Sequence, residues 1–188
     1  MGLTLCDDVS AADWIVHATA DWSRISRFGP PGLAGYARVP YMSRSTAAIE
    51  PGHRPTLDEI TQQRGVLEML AQTTNSRRRC YFALWDGWSD TSLPPPRTFS
   101  IPHRTYVLFE GSIADLSGWR DAVGCPESSA RIALAWPADH TWFMGSDVDP
   151  DWMGVGSSRA AISVLLGDRA FRAAKADPGA SHPDDDLR

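Results

Sequence analysis

Lysine is almost absent from this chain. Of its 18 basic residues only Lys175 is lysine, and the other 17 are arginine. Arginine, alanine, glycine and proline share GC-rich codons, so the bias reads first as a genome signature and only second as a use of the guanidinium fork. Positive charge is short as well. Against 23 acidic residues the chain carries a net charge of −5 at pH 7, which disfavours a general nucleic-acid binder, since those show a basic stripe. Cysteine is scarce and odd in number: Cys6, Cys80 and Cys125 are widely spaced and form no CxxC pair for zinc. That pattern suits a reducing, cytoplasmic setting better than a disulfide framework. No apolar run approaches the length needed to span a membrane, and "MGLTLCDDVS" lacks the basic start of a signal peptide. A cytoplasmic protein with no membrane partner is the expectation.

What is present is ordinary in bulk and unusual in one residue. At 188 residues and 43% hydrophobic content the chain has the size and apolar share of a single domain that folds without staples. Tryptophan is in excess, with eight copies. Trp85 and Trp88 flank "DG", while Trp136, Trp142 and Trp152 crowd the stretch "WPADHTWFMGSDVDPDWMGVG". Indoles fill cores and also anchor interfaces; Trp88 and Trp152 fall in expected turns and are weighted towards exposure.

Periodicity places the elements. "TLDEITQQRGVLEMLAQTT" carries Thr56 three residues before Glu59, a capping box, and a stripe of Leu57, Ile60, Leu67 and Leu70. A helix is expected over 57–73. "CYFALW" and "TYVLF" are apolar on both alternating faces, as strands covered on both sides are. "SIADLSGWRDAV" reads as a short helix capped by Ser112 with Asp115. Residues 141–148 read as a third strand and "DPDWMGVG" as the turn after it. A last helix is expected over 157–168, with Ser157 or Ser158 as its cap and Ile162, Leu165 and Leu166 on one face. The segment "SRSTAAIEPGHRP" reads as a loop. The fold class is therefore α+β: one domain over residues 1–176, a central, mostly antiparallel sheet of about four to six strands, and two main packing helices. Residues 177–188 are acidic and poor in apolar groups and are expected to be a disordered tail.

The polar residues offer fragments of chemistry. Asp147, Asp149 and Asp151 have the D-x-D-x-D spacing of a calcium loop, but Trp152 and Ser158 stand where that loop needs glycine and glutamate. No metal is expected. His140 follows Asp139, which could orient an imidazole for base catalysis, yet sequence neighbours point apart in a strand; His103 before Arg104 has the same status. Gly154-Val155-Gly156 ahead of a helix is half a phosphate-binding signature and lacks the rest. "RRR" at 77–79 is either a solvated turn or a meeting point for phosphate or an acidic partner. No nucleophile motif and no complete catalytic or cofactor set is present. The candidate binding residues are Asp86, Trp88, His140, Asp147, Asp149, Asp151 and Trp152. If the first and third strands run the same way, "LWDGW" and "MGSDVDPDW" meet at one end of the sheet as an acidic, aromatic-walled mouth.

In the order "ADWI", "FGPPGLAGYARV", "CYFALWDGW", "HRTYVLFEG", "WPADHTWFMGSDVDPDWMGVG" and a closing helix, with W-P-x-D-x-x-W and D-V-D as its specific blocks, residues 12–168 resemble a family of uncharacterised actinobacterial proteins. The resemblance implies one intact bacterial domain and no particular activity. Two readings follow from the residues: a binding or regulatory protein, of immunity type, that engages a protein partner or small ligand without catalysis; or a small hydrolase or transferase that uses an Asp/His cleft, with or without a divalent metal. Oligomeric state is open.

Overall fold

A computed structural model describes residues 2–42, 58–124 and 130–180. Its centre is the pair of two-faced strands. Cys80–Trp85 (β3) and Arg104–Gly111 (β5) pair antiparallel with Phe82 opposite Phe109 and Leu84 opposite Val107. Side chains alternate along a strand. Cys80, Phe82, Leu84, Val107 and Phe109 therefore enter one apolar layer, and Tyr81, Ala83, Tyr106 and Leu108 enter another on the opposite face. Phe82 and Leu108 are fully buried, and each such side chain contributes about 1.5–3 kcal/mol by leaving water.

Pairing extends in both directions. The short strands Thr4–Leu5 (β1) and Thr98–Ile101 (β4) share the free edge of β5. On the other side of β3 lie Leu134–Pro137 (β6), Phe143–Gly145 (β7), Trp152–Ser157 (β8), Gly35–Pro40 (β2) and Ala174–Lys175 (β9), every pair antiparallel. The layer under Phe82 is completed by Glu59–Leu70 (α3), Trp119–Ala122 (α4) and Arg159–Gly167 (α5), and the opposite layer by Asp13–Val16 (α1) and Trp22–Phe28 (α2).

The expected sheet and helix set are corrected. Among the described residues the sheet has nine strands rather than four to six, and five α-helices rather than two main ones cover it. The additions are short. Two or three residues, as in β1, β7 and β9, cannot show alternation, and four residues, as in α1 and α4, cannot show a helical stripe. Residues 152–156, expected as part of a turn, and Ser157, expected at the start of the last helix, form strand β8, buried throughout. Its glycines are required by close approach. A Cβ on Gly154 would stand 2.1 Å from the Arg27 carbonyl oxygen, and one on Gly145 2.4 Å from that of Ser26. The backbone of α2 thus lies directly on β7 and β8, and the "GVG" of the partial phosphate signature serves packing.

Helix ends follow local chemistry. Ser158 caps α5 by accepting from the Ala161 N–H at 3.1 Å, and Asp21 caps α2 by accepting from Ser23 N–H at 2.8 Å. Gly29, at φ 75°, stops α2, and Pro30 cannot continue it. The Ser112 backbone and hydroxyl both donate to Asp115 Oδ2, opening a 3-10 turn over Ile113–Gly118 that runs into α4. Leu166 is at the exposed rim of α5 rather than in its buried face. The expected cap Thr56, the loop 43–55 and Cys125 lie outside the described residues. Of the expected acidic tail, residues 177–180 form a turn closed by Asp177, and residues 181–188 lie outside the described set.

Candidate functional site

Strands β3 and β7 both run antiparallel to β6 between them, so they point the same way. The turns that follow them, at Asp86 and at Asp147, therefore fall at one end of the sheet. The β4–β5 hairpin reaches the same end through Pro102 and His103, with His103 in the left-handed region at φ 66°. The next residue, Arg104, organises the corner. Its guanidinium lies 5.4 Å from the Trp22 ring centroid and 5.7 Å from that of Trp85. Its Nε donates to Asp147 Oδ1 at 2.9 Å, and its Nη2 is 3.8 Å from Asp149 Oδ2. Trp22 and Trp85 remain half-exposed, and His103, packed edge-on to Trp22 at 5.0 Å, is exposed. The acidic mouth expected from the sequence is thus filled by the protein's own cation.

A second arginine holds the same loop from the other face of the sheet. Arg131 is buried; its Nη2 donates to the carbonyls of Asp147 and Val148 at 2.9 and 2.8 Å, and its Nη1 to Glu59 Oε2 at 3.0 Å. Its guanidinium also sits 4.9 Å from the Tyr41 ring centroid. Tyr41 hydroxyl shares a hydrogen bond with Ser146 at 2.7 Å and accepts one from Gln63 at 2.8 Å. Burial pushes the Tyr41 hydroxyl up to about 12, so it stays a neutral phenol. Gln63 in turn donates to the Ile132 carbonyl and accepts from its N–H. Each of these side chains is hydrogen-bonded to the next, which stiffens a buried polar network, and among the described residues only the Arg131 Nε within it is buried without a partner. The loop 146–151 is therefore held in one shape, with Asp149 projecting at 66% side-chain exposure.

The structure separates the sequence candidates. Asp147 is a buried structural ion-pair partner, also accepting from the Val148 N–H. Asp86 and Asp149 are exposed at the Arg104 corner; Asp151 is exposed, but its carbonyl accepts from Tyr41 N–H at 2.7 Å and continues the ladder of β8 and β2. Trp88 is half-buried against the α3 layer. Trp152, expected in an exposed turn, is buried at the start of β8, with the Arg27 and Arg38 guanidiniums 5.9 and 5.7 Å from its ring centroid. His140 is at the other end of the sheet. Its neighbour Asp139 binds Thr74 and Asn75, ahead of β3, whereas Asp147 lies beyond the end of β3. Six strand residues at 3.3 Å each put roughly 20 Å between them. Asp147 and His140 therefore form no pair. Asp139 orients no imidazole; although burial opposes its charge, hydrogen bonds from Thr74, Thr141 and Asn75 hold its carboxyl below the ordinary range. His140 stacks on Trp14 at 4.1 Å, and that burial lowers its pKa against the opposing pull of Asp139.

Sequence reasoning missed Arg104, Arg131, Trp22 and Gln63. Arg104 lies beside a noted histidine, and no local pattern marks a residue whose partners are 43 positions away. Of the thiols among the described residues, burial pushes Cys6 up to about 11 and Cys80 up to about 12, away from the thiolate that a nucleophile needs. Among the described residues no three His, Cys, Asp or Glu side chains gather as a metal site, and no helix is long and apolar enough to cross a membrane. No protein-family model, no curated protein and no solved structure matches this chain, so what the site does follows from its own residues.

Proposed function

We propose that the protein acts by binding, and that the Arg104 corner is a docking surface for a protein partner presenting basic side chains. The observation that carries this reading is the fixed display around Arg104. Two half-exposed indoles flank one guanidinium and the exposed ring of His103 packs on Trp22, with the exposed carboxylates of Asp86 and Asp149 at their rim. Tryptophan and arginine are the residues that dominate interface energetics, and a surface already ordered before binding loses little side-chain entropy when it docks. The net charge of −5 steers a basic partner towards it. A regulatory protein of the immunity type, one that covers a basic working surface on its partner, fits these features in a bacterial, cytoplasmic setting. The hydrolase or transferase reading loses its support, because Asp147 is committed to Arg104 and His140 is at the far end of the sheet.

The test is calorimetric titration with a short arginine-rich peptide and its glutamate-substituted counterpart. Wild-type protein is expected to bind the basic peptide only. Asp86→Asn with Asp149→Asn should weaken that binding by about tenfold, or 1.4 kcal/mol, while Asp168→Asn with Asp177→Asn, away from the corner, should leave it unchanged. Equal losses in the two double variants would reduce the effect to net charge and overturn the assignment.

A further inference from the structure

The opposite end of the sheet carries three consecutive arginines, Arg77, Arg78 and Arg79. Between the 3-10 turn at Ala71–Thr73 and β3 the chain makes a tight turn closed by Arg79 N–H donating to the Ser76 carbonyl at 2.9 Å. Arg77 and Arg78 occupy its tip, and both are exposed. A groove of about 700 Å³ runs along this turn, lined by residues 74–79 and Ala138. The charges in it are not equally committed. Arg79 Nε pairs with Glu110 at 3.1 Å. Arg77 donates only to a neutral acceptor, the Gln72 carbonyl at 3.2 Å. Arg78 has no ion pair or hydrogen bond to the described residues. Asp139, behind the groove wall, is occupied by Thr74, Asn75 and Thr141. Arg77 and Arg78 thus stand at the mouth of a groove whose lining holds no carboxylate, and Arg78 also borders the adjoining cavity lined by Asp7, Asp8, Glu110 and Asp115 without pairing with any of them.

We infer that this groove binds a small, hydrophilic compound through a phosphate group, held by Arg77 and Arg78. Guanidinium forks match phosphate oxygens in paired, charge-assisted hydrogen bonds. The Arg77 and Arg78 backbone N–H groups have no acceptor among the described residues, and successive N–H groups in a turn form an anion-binding concavity. The Asn75 and Ser76 side chains add neutral hydrogen-bonding groups for the rest of the ligand. The groove has the volume of a small-molecule site. Only Ala138 among its lining residues is apolar and no ring lines it, so a hydroxylated phosphate ester fits better than a nucleotide, whose base seeks an aromatic wall.

The experiment is a two-dimensional ¹H–¹⁵N NMR titration of the full chain at constant chloride ionic strength, with inorganic phosphate in one arm and glycerol phosphate in the other. The expected result is a saturable shift of the backbone amides of residues 76–79 and of the Arg77 and Arg78 Nε–H signals, tighter for the ester. Equal affinity in the two arms would assign the groove to free phosphate. Arg77→Gln with Arg78→Gln changes only exposed turn side chains, so its melting curve should match wild type while affinity falls by about tenfold or more. Absence of saturation, shifts that persist in the double variant, or binding of a single-stranded oligonucleotide without binding of either phosphate would each overturn the proposal.

Discussion

Two aspartates two positions apart have opposite roles because one is buried. Asp147 has 2% side-chain exposure and shares its Oδ1 between Arg104 and the Val148 N–H; Asp149 is 66% exposed. Removing one partner of a buried pair leaves the other charge stranded and costs about 3–5 kcal/mol, whereas an exposed pair contributes about 1 kcal/mol at most. Asp147→Ala should therefore shift the urea midpoint strongly and Asp149→Ala hardly at all; similar midpoints for the two would show that Arg104 is not holding the loop. His140 makes a pH prediction. Burial on Trp14 lowers its folded pKa below the unfolded value, so below about pH 6.5 the unfolded chain takes up a proton that the folded one resists. Stability falls as pH drops through that window. His140→Asn, which tolerates the left-handed φ of 54°, should fall less between pH 7 and pH 5 (about the His titration range). Parallel curves for the two proteins would contradict this.

At the scale of elements, the contact between α2 and the sheet makes the sharpest demand. Gly154→Ala drives a methyl into the Arg27 carbonyl, a backbone group that moves only if α2 moves. Overpacking of this kind costs about 1–3 kcal/mol or more, visible as a lowered melting temperature; an unchanged melt would mean that α2 does not rest on β8. This contact also explains which elements were readable. Cys80–Trp85 and Tyr106–Phe109 announce themselves because both faces of each strand meet apolar layers, and the α5 cap at Ser158 is local chemistry. Residues 152–157 hide because glycine in a sequence signals a turn, and only the approach of another chain segment makes it a strand residue. α2 hides because seven residues are too few for a stripe, and its four buried residues, Ile25, Ser26, Arg27 and Phe28, are consecutive.

The whole molecule is polarised along its strands, with arginines at the start of β3 and an aromatic, acid-rimmed corner at its end. Part of that corner was legible in the sequence. "LWDGW" and "MGSDVDPDW" both carry tryptophan and aspartate after a strand, and the direction of β3 and β7 brings the two turns to one end. The rest was not, because Trp22 and Arg104 arrive from a short helix and a hairpin whose positions only the assembled sheet decides. The central claim is that this corner is the binding surface, and the indole N–H signals of ¹⁵N-labelled protein report on it most directly. On titration with the arginine-rich peptide, Trp22 and Trp85 should shift and saturate, while the buried Trp119, Trp136 and Trp142 stay in place. Shifts confined to other tryptophans, or none at Trp22 and Trp85 under saturating peptide, would contradict the account.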